Sequence, residues 1–170
     1  MKQLLLSLSM VLIVLACEKA TPFTIDVSNI TATDTSGVIT GTIDNSDWSM
    51  DTEWSETEKA FFRTDPVDMS SASVATISLQ PAYANPTVKK GITFQFNGSA
   101  VTFLRIAIVD ANLNKLAYYT FLTSAGLNAF FIPLNTPTFS VNKNYRIYYS
   151  FDAPSNAMYY KGHGDVTFKD

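Results

Sequence analysis

The sequence predicts an all-β protein of the antiparallel sandwich type. Three observations point there. Short apolar segments alternate with polar residues at a period of two. Turn residues punctuate them at regular intervals. Apolar residues make up 46% of the 170-residue chain, enough to bury a core, while charged residues make up only 16%.

Phe23-Thr24-Ile25-Asp26-Val27 alternates and is the first predicted strand. Gly37 to Ile43 follows, with Val38, Ile39 and Ile43 among threonines, β-branched residues suited to a pleated surface. Asp44 to Pro66 breaks the alternation and holds both tryptophans, Trp48 and Trp54. Within it Ser55-Glu56-Thr57-Glu58 reads as a capping box, so a short helix is predicted from Glu56 to about Arg63. Phe61 and Phe62 give that helix something to bury, and Pro66 closes the segment.

Val74 to Leu79 is the next strand, ended by Pro81, and Ala84-Asn85-Pro86 is a turn. Ile92, Phe94 and Phe96 alternate with Thr93 and Gln95 up to Asn97-Gly98. Leu104, Ile106 and Ile108 alternate with Arg105 and Ala107. The Asp110 to Asn114 segment turns this strand into a partner from Lys115 to Leu122. Ala129 to Leu134 is another strand. Tyr145, Ile147, Tyr149 and Phe151 form one face of the next, and Pro154-Ser155-Asn156 turns the chain towards a last strand at Asp165 to Lys169. About nine short strands and one helix predict an immunoglobulin-like antiparallel β-sandwich with one short helix in an N-terminal connection. One face of each strand is polar, as for sheets that face water.

The first 16 residues are set apart as a signal peptide. Met1-Lys2-Gln3 is a short positive start, and Leu4 to Ala16 is uncharged and too short for a bilayer-spanning helix of roughly 20 residues. Val14-Leu15-Ala16-Cys17 resembles a bacterial lipobox. That resemblance implies cleavage before Cys17, lipidation of its sulfur, and palmitate-type acylation of the new amine. Two or three acyl chains anchor stably where one does not. Residues 17–22 form the lipidated Cys and a polar tether, Glu18-Lys19-Ala20-Thr21-Pro22, and residues 23–170 form a single domain. The lipobox predicts an outer-membrane lipoprotein, with the periplasmic and surface faces both open.

Composition excludes other classes. A net charge of −3 gives no electrostatic footprint for nucleic acid. One Cys and one His leave no disulfide scaffold and no Cys/His zinc site, and no cofactor is expected. Asp110-x-Asn112-x-Asn114 matches half a calcium loop, but Lys115 and Phe121 stand where that loop needs Gly and an acid, so it reads as an Asx hairpin turn. Asp44, Asp47 and Asp51, with Glu53, read as a solvated acidic loop and not a cation site. His163, between Gly162 and Gly164, reads as a turn into the last strand and not as a catalytic base, since no Gly-x-Ser-x-Gly elbow exists.

The aromatic residues are the remaining candidates. Neighbouring tyrosines point to opposite faces, so some of Tyr118, Tyr119, Tyr148, Tyr159 and Tyr160 must lie on a surface. Trp48, Trp54, Tyr119, Tyr148, Tyr159 and Tyr160 are the candidate ligand contacts, able to stack on sugars or anchor a protein; cross-strand pairing is the structural alternative.

Asp47-Trp48, Trp54 to Phe62, Tyr145 to Tyr149 and Tyr160 to Asp165 resemble segments of small uncharacterised Bacteroidota lipoproteins. The stretch Ile77 to Leu116, with Tyr83-Ala84-Asn85-Pro86 and then Gly91, is faintly similar to type IX sorting domains, which implies a β-sandwich. Together these point to a non-enzymatic binding or structural accessory at the cell envelope, touching the bilayer through Cys17 and an envelope protein or glycan through its domain. The alternative is a surface glycan-binding lipoprotein of a polysaccharide uptake system.

Overall fold

The computed structural model describes residues 24–62, 68–88, 90–135 and 137–170. The signal peptide, Cys17 and its tether lie outside the described residues. Eight strands and one helix follow in order: β1 (Ser49–Met50), α1 (Glu56–Ala60), β2 (Ile77–Leu79), β3 (Gly91–Gly98), β4 (Phe103–Val109), β5 (Lys115–Leu122), β6 (Gly126–Pro133), β7 (Lys143–Ala153) and β8 (Asn156–Phe168). They build an antiparallel β-sandwich of two sheets. One has the order β1-β8-β7-β4-β5 and the other β2-β3-β6. The chain crosses between sheets at β1 to β2, β3 to β4, β5 to β6 and β6 to β7, while β4–β5 and β7–β8 are hairpins.

The alternation read from sequence sets the inner faces. Ile92, Phe94, Phe96 and Ile132 of the smaller sheet meet Leu104, Ile106, Ile108, Ile147, Tyr149 and Phe151 of the larger one, all buried. Phe96 meets Phe151 edge to face at 4.8 Å, and Phe94 packs on Tyr149 at 5.3 Å, the tilted geometries aromatic rings prefer.

The central strands differ from expectation. On β7 not only Tyr149 and Phe151 but also Tyr148, Ser150 and Asp152 are fully buried. Over these positions of β7 the outer face of the larger sheet is therefore covered, not wet. A second apolar cluster of Trp54, Phe61 and Phe62 lies on Ala107, Val109 and Tyr148. Its cover is the connection that contains α1. The capping box forms as predicted: Ser55 accepts from the Glu58 amide, and Glu58 accepts from the Ser55 amide. The helix stops at Ala60, and Phe61 and Phe62 turn under it as buried plugs.

The same connection grips the β8 edge from both sides. Trp48 enters the space between the sheets, stacking near-parallel to Tyr149 at 6.3 Å. Ser49 and Met50 then pair with His163 and Gly162 on the edge. Trp54 closes the outer face, stacked on Phe62 at 5.1 Å.

Three other segments depart from the sequence reading. Residues 24–27 form no strand; they are held by Ile25 donating to Ala111 O (3.0 Å), Asn144 to Val27 O (2.7 Å) and Arg146 to Asp26 O (2.6 Å). Residues 37–43 fold back on 32–34 as a tight loop fastened by the Asp34 carboxylate, which accepts from Ser36 and Val38. Val38, Ile39 and Ile43 stay exposed there. Finally, β8 begins at Asn156, not Asp165. Its glycines, which read as a turn, are instead points of close approach: a methyl at Gly164 would fall within the Trp48 ring, and one at Gly162 would strike Ser49 O and the Tyr149 hydroxyl.

Candidate functional site

The structure separates the six candidate aromatics into two groups. Trp48, Trp54 and Tyr148 are only 6%, 5% and 0% exposed, so they cannot stack on a ligand. This corrects the surface reading of these three. Their residue types signal aromatic surface in a polar loop, but the loop itself packs onto the sheet. Tyr148 donates its hydroxyl to Glu58 Oε1 at 2.9 Å, and burial followed by the Glu58 charge pushes its ionisation up. Tyr119, Tyr159 and Tyr160 are half-buried. Tyr119 stacks on Phe121 at 6.3 Å. The Tyr159 hydroxyl accepts from Ala75 N (3.1 Å) and shares a 2.8 Å bond with Thr102 Oγ1. Tyr160 meets Phe151 edge-on at 5.6 Å. Tyr119 on β5 is separated from β8 by β4 and β7, roughly 14 Å at ordinary strand spacing. Tyr159 and Tyr160 both pack against the core between the sheets. No single platform of rings results from these six.

The polar candidates gather beside the β7–β8 outer face, in a shallow depression lined by Asp26, Asn29, Asp44, Ser46, Arg146 and His163. His163 sits in mid-strand opposite Tyr148, not in a turn. Its Nδ1 lies 2.9 Å from Asp51 Oδ2, and Asp51 also accepts from the Trp54 indole N–H at 2.6 Å. An imidazole held by a carboxylate is half of a nucleophile-activating array. Ser46 lines the same depression, but its hydroxyl donates to Asp44 Oδ1 at 2.6 Å. Arg146 is likewise engaged, forking onto Asp165 through Nε (2.8 Å) and Nη2 (2.7 Å). Burial tends to lower the guanidinium's ionisation, and the Asp165 carboxylate more than offsets it, so the net shift is upward. Burial raises the Asp165 carboxyl against the pull of Arg146.

The acidic loop is not simply solvated. Asp47 is buried and bridges two chain segments, accepting from Thr31 N (2.9 Å) and Asp165 N (2.9 Å). Burial, with the nearby Asp165 charge, lifts its pKa to about 6. Asp44, Asp47 and Asp51 each serve a different partner. Among the described residues no three acidic, His or Cys side chains are grouped to hold a metal ion. The Asp110 carboxylate accepts from the Asn112 and Asn114 amides at 2.9 Å, the Asx hairpin turn read from sequence.

One residue that sequence reading passed over as a turn is Asn85. It is fully buried, donates to Thr31 O (3.0 Å) and Asp165 O (2.8 Å), and accepts from Thr167 N (3.0 Å). Its signal was present only as Asx chemistry before a proline, which marks turns generally. Comparison of the chain with protein-family models and with curated proteins gives no match in either.

Proposed function

We propose that this chain is a non-enzymatic lipoprotein, anchored at the outer membrane through acylated Cys17 and acting as a binding or structural accessory of the cell envelope. The observation that carries the reading is the lipobox, Val14-Leu15-Ala16-Cys17, with the single cysteine of the chain at the one position the motif requires. The placement of the polar groups supports the non-enzymatic part. His163, Arg146, Asp47 and Asp51 hold segments together, and the serine beside the imidazole is bonded elsewhere.

Burial of Trp48, Trp54 and Tyr148 weighs against the glycan-stacking alternative and favours a protein partner. The contact surface would be the outer face of the smaller sheet. Leu127 and Phe131 of β6 are 68% and 60% exposed there, flanking Gln95 and Thr93 of β3. Exposed apolar side chains rimmed by polar ones are the usual anatomy of such contacts.

Membrane fractionation tests the anchor. Wild type should partition with membranes and carry acyl chains on Cys17, and the Cys17→Ala chain made without residues 1–16 should be released from them. A wild-type chain whose Cys17 carries no acyl group by mass spectrometry overturns the reading. Co-purification from solubilised membranes tests the accessory role: Phe131→Glu should lose the wild-type partner while keeping the wild-type melting curve.

A further inference from the structure

The free side of β6 carries a defined row of backbone groups. On β3, Thr93 exchanges both of its backbone bonds with Tyr83, and Gln95 O accepts from Gln80 N at 3.1 Å. Thr93, Gln95 and Asn97 therefore turn their backbone groups away from β6. Their partners across the ladder are Phe131, Ala129 and Leu127. Antiparallel residues that face each other without bonding both direct their N–H and C=O outward. The backbone groups of Leu127, Ala129 and Phe131 thus point to the side of β6 where, among the described residues, no strand lies. Pro133 would continue the row, but it has no N–H and ends it.

The side chains of the same three residues are exposed on the outer face of the smaller sheet. The row is symmetric about its middle. Ala129, the smallest, is flanked at equal distance by Leu127 and Phe131, and no side chain on the strand is charged. A second copy turned about a two-fold axis at Ala129 lies antiparallel to the first. Ala129 then faces its own copy, and Leu127 faces Phe131 in both directions. Each of these pairs exchanges two N–H···O bonds. A slide of one residue would set the free groups against groups already bonded to β3, and a slide of two would leave one of the three without a strand partner. Leu127 opposite Phe131 is also an apolar cross-strand pair of the kind that stabilises sheets.

This self-match is what selects a second copy as the occupant. Copies meeting edge to edge are ordinarily kept apart by charge on the edge strand. The neighbouring edge strand, β5, has only Lys115, whose ammonium donates to Phe61 O at 3.1 Å, and the two-fold carries its two copies to opposite ends.

We propose that β6 pairs with β6 of a second copy about a two-fold axis at Ala129, joining two three-stranded sheets into one continuous sheet. The pairing goes beyond the accessory role and stands whether or not Cys17 is acylated. It sets the exposed Leu127 and Phe131 of both copies on one face.

The test uses the full chain with Cys17→Ala, purified in detergent, so that an introduced cysteine is the sole thiol. Under mild oxidation Ala129→Cys should join to its own copy, because hydrogen-bonded partners sit about 5.5 Å apart between Cα atoms, within disulfide reach. Leu127→Cys and Phe131→Cys should each cross-link at least about tenfold more slowly, since four residues of strand, roughly 13 Å, separate each from its own copy. Mixed together, those two chains should cross-link to each other. Sedimentation of the chain without introduced cysteines should show a concentration-dependent dimer. Ala129→Pro removes an N–H on the free side and should raise the dimer dissociation constant by more than about tenfold while leaving the melting curve nearly unchanged. Ala129→Lys sets two ammonium groups against each other at the axis and should weaken the dimer likewise, so a misfolded proline variant leaves the test intact. A monomer at all concentrations, equal cross-linking at the three positions, or a dimer indifferent to Ala129→Lys overturns the proposal. So does cross-linking of Ala129→Cys in membranes to a product of any mass other than two copies.

Discussion

At the scale of single residues, buried polar groups do the joining that sheet hydrogen bonds cannot. Asn85 ties the segment at Thr31 to β8, and its amide has both donors and its acceptor occupied. Asn85→Ala leaves those backbone groups buried and unpaired, and should lower the unfolding free energy by about 3 kcal/mol. Asn85→Asp should not rescue it, because a carboxylate has no N–H to give to Thr31 O and Asp165 O; urea denaturation of both variants checks this. Asp47 makes stability depend on pH. Its folded pKa is about 6, against an ordinary value of 3.8. Between those values the folded chain keeps the proton that the unfolded chain releases, so the contribution of this group falls as pH rises through that window. The full swing is about 3 kcal/mol at most. Asp47→Asn should remove that decline. Unfolding free energies measured from about pH 3 to pH 7, about a unit either side of the window, should show a steeper fall for wild type than for the variant. Parallel profiles would contradict the assignment.

At the scale of elements, the connection from Asp44 to Phe62 behaves as a clasp and not as a loop. Trp48 and Trp54 lie on opposite faces of the larger sheet, joined across its edge by β1. The glycines of β8 are the sockets. Gly164→Ala should expel the Trp48 indole and cost about as much as Trp48→Ala, roughly 3 to 5 kcal/mol, and the double variant should cost little more than either alone. Ser55→Ala should cost about 1 kcal/mol through loss of the cap. Much of this level was legible beforehand. The limits of β5 were read to the residue, because the Asp110 to Asn114 turn sets its start; β3, β4 and β7 were read to within a few, because each shows an apolar face at period two, and β6 to within three residues. The clasp was not legible. Which face Trp48 and Trp54 cover depends on long-range packing, and Gly162-His163-Gly164 carries the same local signal whether it turns the chain or admits a ring. The two-residue β1 has too little sequence to show any period. The acidic side chains of the clasp likewise resembled solvated surface, since only contact with β8 reveals that Asp47 is buried.

At the scale of the whole molecule, the two flanks of the sandwich are unequal. One is closed by the short outer strands β1 and β2, of two and three residues. The other ends in β5 and β6, of eight residues each, and among the described residues no strand pairs with the outer side of either. Substituting Lys for Ala129 on β6 should leave the monomer's unfolding curve within about 0.5 kcal/mol, as for other surface changes, while raising the concentration at which the protein begins to self-associate in light scattering. The strand Gly126–Pro133 contains no charged side chain, so nothing on it repels an incoming backbone. A population tethered as proposed above and not yet paired would thus present many identical, uncapped templates side by side. One unfolded neighbour in such a layer has a ready place to lie down, and fibre-like growth would run outward from this flank alone.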